Sequence, residues 1–371
     1  MRKNLSKLLA VGTSMAMAIA IWIPGSAAAD TAGSRNPDPV TVASGLNNPR
    51  QLTFDSRGNL YVAEAGSGQV NATDKGQCFS GNEGPACAGN TGSVTKVSNP
   101  DRNAAQSRII SGLLSIGAPD GSGAVGVDAV SVSGYSGEVY GIATFVPPAN
   151  LPSSVVNQNG QLLKVNRKGK VTTLFDVASY SLAHPLPGHD PDSDPYGLVR
   201  VGGTSFVADA AANVVYSIDY CNRIKVVATF ESRVASDPNS FDGVPTSIAY
   251  SNGRFYVGQL SSLIPGAGKI TVFDVRWNKV ATYTGLSSVT SVAVSRGGDI
   301  YATELFAGAP FNSPGAVIKI AKHQKDPLVI STQPTPAGVA VDSRNNLYVS
   351  INSIAAKVGD NPGGSVIRLA G

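Results

Sequence analysis

Glu64, Asp209, Gln259 and Glu304 each stand three residues beyond an aromatic: Tyr61, Phe206, Tyr256 and Tyr301. A further segment of the same kind, Leu347 to Ser350, is followed by Asn352. If the segments are rotational copies of one unit, these oxygen-bearing side chains point in equivalent directions. A ring of oxygens suits a hard cation such as Ca²⁺, for which Glu64, Asp209 and Glu304 are the metal candidates. About ten residues upstream of each segment lies a partner, and the partners begin with Arg50, Asp128, Tyr196, Thr246 and Thr290. Only Asp128 among these is acidic, and Arg50 would repel a cation and favour an anion. The same set therefore also describes a site that binds an organic ligand through Arg50, Glu64, Asp128, Tyr196, Asp209, Gln259 and Glu304. Taken singly, each carboxylate has a plainer use, bonding backbone amides or a neighbouring unit.

The chain has three histidines, His184, His189 and His323. His189 beside Asp190 is the pair that could serve as a general base. Asp190, Asp192 and Asp194 alternate as in part of a calcium loop, but the Gly and terminal Glu of an EF-hand are missing. Prolines at 185, 187, 191 and 195 make this stretch a stiff, extended, solvated loop. No Gly-x-Ser-x-Gly elbow, His-Glu-x-x-His helix or phosphate-binding glycine loop is present.

The elements that must position these residues come in six units. Second strands run Leu60–Ala63, Val139–Ile142, Phe206–Ala208, Phe255–Gly258, Ile300–Thr303 and Leu347–Ser350. First strands begin at Arg50, Asp128, Tyr196, Thr246, Thr290 and Ala337, so the intervals shorten from 78 and 68 residues to 50, 44 and 47. Turns such as Asp55-Ser56-Arg57-Gly58-Asn59 and Asp342-Ser343-Arg344-Asn345-Asn346 join them, with Gly and Asn where positive φ is needed. A third strand follows in every unit and a fourth in the first five. This predicts an all-β, six-bladed β-propeller with four antiparallel strands per blade. The sixth unit ends at Gly371 without a fourth strand, and Pro39–Ser44 supplies one from the other end of the chain. Such closure removes the exposed edges.

Arg2, Lys3 and Lys7 precede an uncharged apolar run, Leu8 to Ile23, and Ala27-Ala28-Ala29 offers a small-residue cleavage site. Residues 1–29 are thus expected to be a secretory signal, and 30–371 one propeller domain, exported and monomeric. The apolar run is short for a membrane span, which needs ~20 residues. Cleavage leaves 26 basic against 25 acidic residues, a net charge of +1, and no basic run points to nucleic acid. In an exported chain Cys78 and Cys87 are expected to staple the insertion of the first blade, around 70–91, through a disulfide; two free thiols are the alternative. Cys221 is the odd one out and is expected to be free.

Asn47 to Phe54 with Asn59 to Gly66, Asp192-Ser193-Asp194-Pro195-Tyr196-Gly197 with Val207 to Ala210, and the corresponding pieces of the fourth and fifth units resemble the ScyD/ScyE family of secreted bacterial proteins. The Asp-Pro-Tyr-Gly stretch is the most specific part. More distantly the units resemble NHL repeats and gluconolactonase-like propellers, and the latter resemblance implies a divalent metal in the axial funnel. Gly126-Val127-Asp128 departs from the pattern, which implies a histidine before the aspartate. Two functions follow as expectations. One is a secreted propeller that binds a small molecule, glycan or protein at its funnel face. The other is a calcium-dependent lactonase- or esterase-like hydrolase.

Overall fold

The computed structural model describes residues 38–369 apart from 82–83, 135, 167, 188–190, 234–236, 238–239 and 309–312. The expected signal segment and the His189–Asp190 pair lie outside the described residues. Strand β1 (Val40–Leu46) precedes the first blade, which holds β2 (Pro49–Phe54), β3 (Leu60–Glu64), β4 (Lys75–Gly81), β5 (Gly84–Ser98) and β6 (Ala105–Gly117). Blade two is β7 (Val127–Val132), β8 (Val139–Ala143), β9 (Gln161–Val165) and β10 (Val171–Asp176). Blade three follows as β11 (Pro195–Val201), β12 (Thr204–Asp209), β13 (Val214–Ile218) and β14 (Ile224–Thr229). Blade four is β15 (Pro245–Ser251), β16 (Arg254–Gln259), β17 (Gly268–Asp274) and β18 (Lys279–Leu286). Blade five is β19 (Val289–Val294), β20 (Ile300–Glu304), β21 (Gly315–Ile320) and β22 (Leu328–Gln333). Blade six contains β23 (Gly338–Val341), β24 (Leu347–Ile351) and β25 (Gly364–Leu369).

All the pairings within these sheets are antiparallel, and β1 completes the last one in the order β23, β24, β25, β1. Val40 faces Arg368 and Thr41 faces Ile367, so the ring closes by the expected exchange between the two ends of the chain. The molecule is the six-bladed propeller that the repeats predict.

The core is divided among the blade interfaces. Leu52, Leu60 and Val62 of blade one pack with Val366 and Tyr348 of blade six and with Val42 of β1. Phe206 and Val215 of blade three meet Ile248, Phe255 and Val257 of blade four. Tyr301 and Val317 of blade five meet Val339, Leu347 and Val349 of blade six. Because each middle strand is covered on both sides, its apolar residues run on without alternation, as the all-buried β3 and β20 show. First strands of neighbouring blades approach closely at the axis. A Cβ at Gly338 would lie 2.3 Å from the Arg50 carbonyl oxygen, so only glycine fits there.

Two features go beyond the sequence reading. The stapled insertion of the first blade takes a regular form. It is the β4–β5 hairpin, in which Cys78 pairs directly with Cys87 and the two are disulfide-bonded. Ala86, Cys87 and Ala88 are buried there, because β5 runs on from the blade core through 15 residues and carries the hairpin with it. The second is a short helix, α1 (Val177–Ala183), where the Asp176 side chain accepts from the Ser179 amide and so caps the first turn. Cys221 is free and exposed.

Candidate functional site

The start of each first strand and the end of each second strand meet on one face of the disc. Pro49 pairs with Glu64, Pro195 with Asp209, Pro245 with Gln259 and Val289 with Glu304. In five blades the register slips just after the first strand begins, between Pro49 and Leu52, Val127 and Ala129, Pro195 and Gly197, Pro245 and Ser247, and Val289 and Ser291. The residues left in these bulges are Arg50 with Gln51, Asp128, Tyr196, Thr246 and Thr290. A bulge re-aims the side chain it carries, and here it turns a polar group toward the neighbouring blade or across the axis.

Two chemistries result. In blades four and five the bulged threonines tie blade to blade: Thr246 Oγ1 donates to the Val289 carbonyl at 2.6 Å, and Thr290 Oγ1 to the Pro336 carbonyl at 3.3 Å. In blades one to three the bulged groups are ionisable or long. Arg50 Nε lies 3.3 Å from Asp128 Oδ1, and Arg50 Nη2 also donates to the Ala124 carbonyl. Gln51 Nε2 reaches blade four, donating to the Thr246 carbonyl at 2.6 Å, and approaches that of Thr290 at 3.4 Å. Since blades one and four stand opposite each other in a six-membered ring, Gln51 spans the axis and blocks it.

Asp194 joins this group from the residue that precedes β11. It is the blade-three counterpart of Asn48, Gly126, Val244 and Ser288, whose carbonyls all accept from the residue following the second strand: Ala65, Thr144, Leu260 and Leu305. The Asp194 carbonyl likewise accepts from Ala210. Only in blade three does that position carry a carboxylate. Asp194 Oδ1 accepts from Thr144 Oγ1 at 2.8 Å.

Burial dominates the electrostatics. Asp128 is fully buried and its pKa is pushed up to about 7, chiefly by desolvation, with the Arg50 charge pulling the other way. Asp194 is pushed up to about 8, first by desolvation and then by the charge of Asp128. The Tyr196 hydroxyl is raised by the same burial. Neither Asp128 oxygen has a hydrogen-bond donor in good geometry, and Arg50 Nε is likewise unpaired by that criterion. The floor of the funnel thus holds one guanidinium and two coupled carboxyls that burial holds well above the usual carboxylate range.

Of the second-strand ends, Asp209 touches this group through the Asp194 amide, whereas Glu64, Gln259 and Glu304 bond elsewhere. Glu64 is wholly buried and taken up by Arg108 Nη2 at 2.7 Å, Thr95 Oγ1 at 2.6 Å and the Asn47 amide at 2.8 Å. Asp209 accepts from Ser193 Oγ at 2.6 Å and the Asp194 amide at 2.7 Å. Gln259 bridges Glu231 and Thr271, and Glu304 accepts from the Ser287 amide at 2.7 Å. Desolvation lifts the Glu304 pKa to about 7. Each of the four has its own partners, and Glu64, Asp209 and Glu304 share none of them. Among the described residues no group of three or more His, Cys, Asp or Glu side chains is arranged to hold a metal ion.

Sequence reading missed Gln51 and Asp194. Gln51 looks like an ordinary strand residue, and its role depends on a bulge that no local pattern announces. Asp194 falls in the stretch read as a solvated loop, whereas Asp192 and Ser193 are buried. Its place directly before Pro195-Tyr196 was the available signal.

No family model matches the chain, and no curated protein matches it. Solved structures of similar shape include a luciferin-regenerating enzyme, 13% identical over 90% of this chain and 96% of that one, with a TM-score of 0.48. A streptogramin B lyase is 12% identical over 90% of this chain and 97% of its own, TM-score 0.46. A nidogen/laminin complex contributes a chain 11% identical over 72% of this chain and 84% of that one, TM-score 0.46.

Proposed function

We propose that the chain is an exported β-propeller of the ScyD/ScyE type that binds a hydroxyl-rich small molecule or glycan at its funnel face without transforming it. The observation that carries this reading is the Asp128 carboxylate, buried at the axis with no hydrogen-bond donor in good geometry. A buried carboxylate that has an ion pair but no hydrogen bond in good geometry is only partly met, and a polar ligand is one way to complete it. With Asp128 and Asp194 raised to about 7 and about 8, both can donate as well as accept near neutrality, which suits hydroxyl groups better than ions. Export is supported by the charged, apolar and small-residue sequence at the start of the chain and by the Cys78–Cys87 bond, which fits an oxidising compartment.

Glycan-array binding followed by calorimetry on the best hit tests the reading. Asp194→Ala should weaken that hit at least tenfold, and Arg254→Ala, on the opposite face, should leave it unchanged. Equal affinity in the Asp194 variant would sink the funnel assignment. Calcium-assisted hydrolysis is the second reading, favoured by the same Asp128 oxygens. It requires that EDTA lower the melting temperature and that Ca²⁺ restore it.

A further inference from the structure

On the opposite face of the disc, the β19–β20, β23–β24 and β2–β3 turns of blades five, six and one meet around a cleft of about 560 Å³, together with the β5–β6 turn. Each of the three hairpin turns carries an arginine: Arg57 and Arg344 at equivalent positions, and Arg296 one residue earlier in its turn. Arg102 from the β5–β6 turn makes a fourth, and all four are exposed. The floor is apolar, from Phe54, Val294 and Val341.

Three aspartates share the cleft, but two of them face inward. Asp55 accepts from the Arg57 and Asn59 amides at 2.9 Å and from Asn59 Nδ2 at 2.8 Å. Asp342 repeats this with the Arg344 and Asn346 amides and Asn346 Nδ2. Their negative charge stabilises the turns rather than the guanidinium groups. Asp101 pairs with Arg344 and lies 3.5 Å from Arg102. Among the described residues Arg57 and Arg296 have no ion-pair partner. The three neighbouring turns thus gather exposed arginines around one cleft, with Asp55 and Asp342 spent on their own turns.

We propose that this cleft binds a small organic anion carrying two or more tetrahedral oxyanion groups, phosphate or sulfate esters. Guanidinium forks match such groups through paired N–H donors. Separate arginines on three blades suit several such groups on one ligand, and the apolar floor suits its carbon frame. A cavity of this size takes a sugar- or nucleotide-sized molecule rather than a polymer.

Isothermal titration of the purified protein at low salt, with pyrophosphate and with sucrose octasulfate, provides the test; neutral sucrose is the blank. At least one anion should bind, and whichever binds more tightly assigns phosphate or sulfate. The double variant Arg57→Ala/Arg296→Ala should lose at least tenfold in affinity. Arg57→Lys/Arg296→Lys, which keeps the charge but not the fork, should fall between. Arg254→Ala/Arg276→Ala removes the same charge from neighbouring turns of blade four and should change affinity less than twofold. The proposal is overturned if neither anion binds, or if the blade-four variant weakens binding as much as the cleft variant. Unchanged melting of all variants shows that the losses are not unfolding.

Discussion

The two faces of this propeller use arginine in opposite ways. At the funnel, Arg50 is buried against Asp128 and committed to the ring, and Gln51 beside it spans the axis. On the far face, Arg57 and Arg296 stand exposed, with the aspartate of the Arg57 turn consumed by its own backbone. Both faces come from the same repeated unit. The difference lies in which end of the hairpin closes on neighbouring blades. The first strands crowd together at the axis, where polar groups must be satisfied or stay costly, whereas the hairpin turns open to water, where a charge can wait for a partner.

This contrast can be broken most sharply at Arg50. Arg50→Ala strands the Asp128 carboxylate without its counter-charge and should cost about 3–5 kcal/mol of stability, read by chemical denaturation. A cost below 1 kcal/mol would show that the pair is not what holds the axis. Gln51→Ala should cost less, about 1–3 kcal/mol, because it leaves the Thr246 carbonyl without its cross-axis donor.

The pH response separates the faces further. Asp128, Asp194 and Glu304 all have pKa values raised on folding, so the folded chain holds protons that the unfolded chain has released. That contribution is complete below the ordinary carboxyl range near 3.8 and is lost as pH climbs through about 7 to 8. Melting temperature should therefore fall between pH 5 and pH 8.5, and Asp128→Asn should flatten the slope; a rising curve would contradict the burial described here. Smallest of all, Arg57→Ala/Arg296→Ala should shift stability by no more than about 0.5 kcal/mol, as surface substitutions do.

The fold was legible because repetition is visible without knowing any contact. Turn residues recur in phase, and the missing fourth strand of blade six points to Pro39–Ser44. The Cys78–Cys87 bond was legible from spacing and context, though not the hairpin that carries it. The site was only half legible. Repetition told correctly that Glu64, Asp209, Gln259 and Glu304 occupy equivalent strand positions, but not what meets them. The partner of Glu64 is Arg108, 44 residues away on a different strand, and nothing near Glu64 in the chain announces it. Arg50 and Asp128 were singled out because they open first strands. Gln51 and Asp194 were passed over because bulges and strand-opening positions gain meaning only once six blades are in a ring.

The seam between β1 and β25 also says something about how this chain must come to its final form. The seam pairs the first described strand with the last, Val40 against Arg368. Until β25 is made, β1 has no partner and blade six lacks its outer edge, so closing the ring needs a contact of very large sequence separation. Such contacts are slow, because loop-closure entropy is spent before they form. The same seam places the two ends of the fold side by side. Joining them with a short linker and reopening the chain at Gly202–Gly203, an exposed hairpin turn, would keep every blade and turn that contact into a local one.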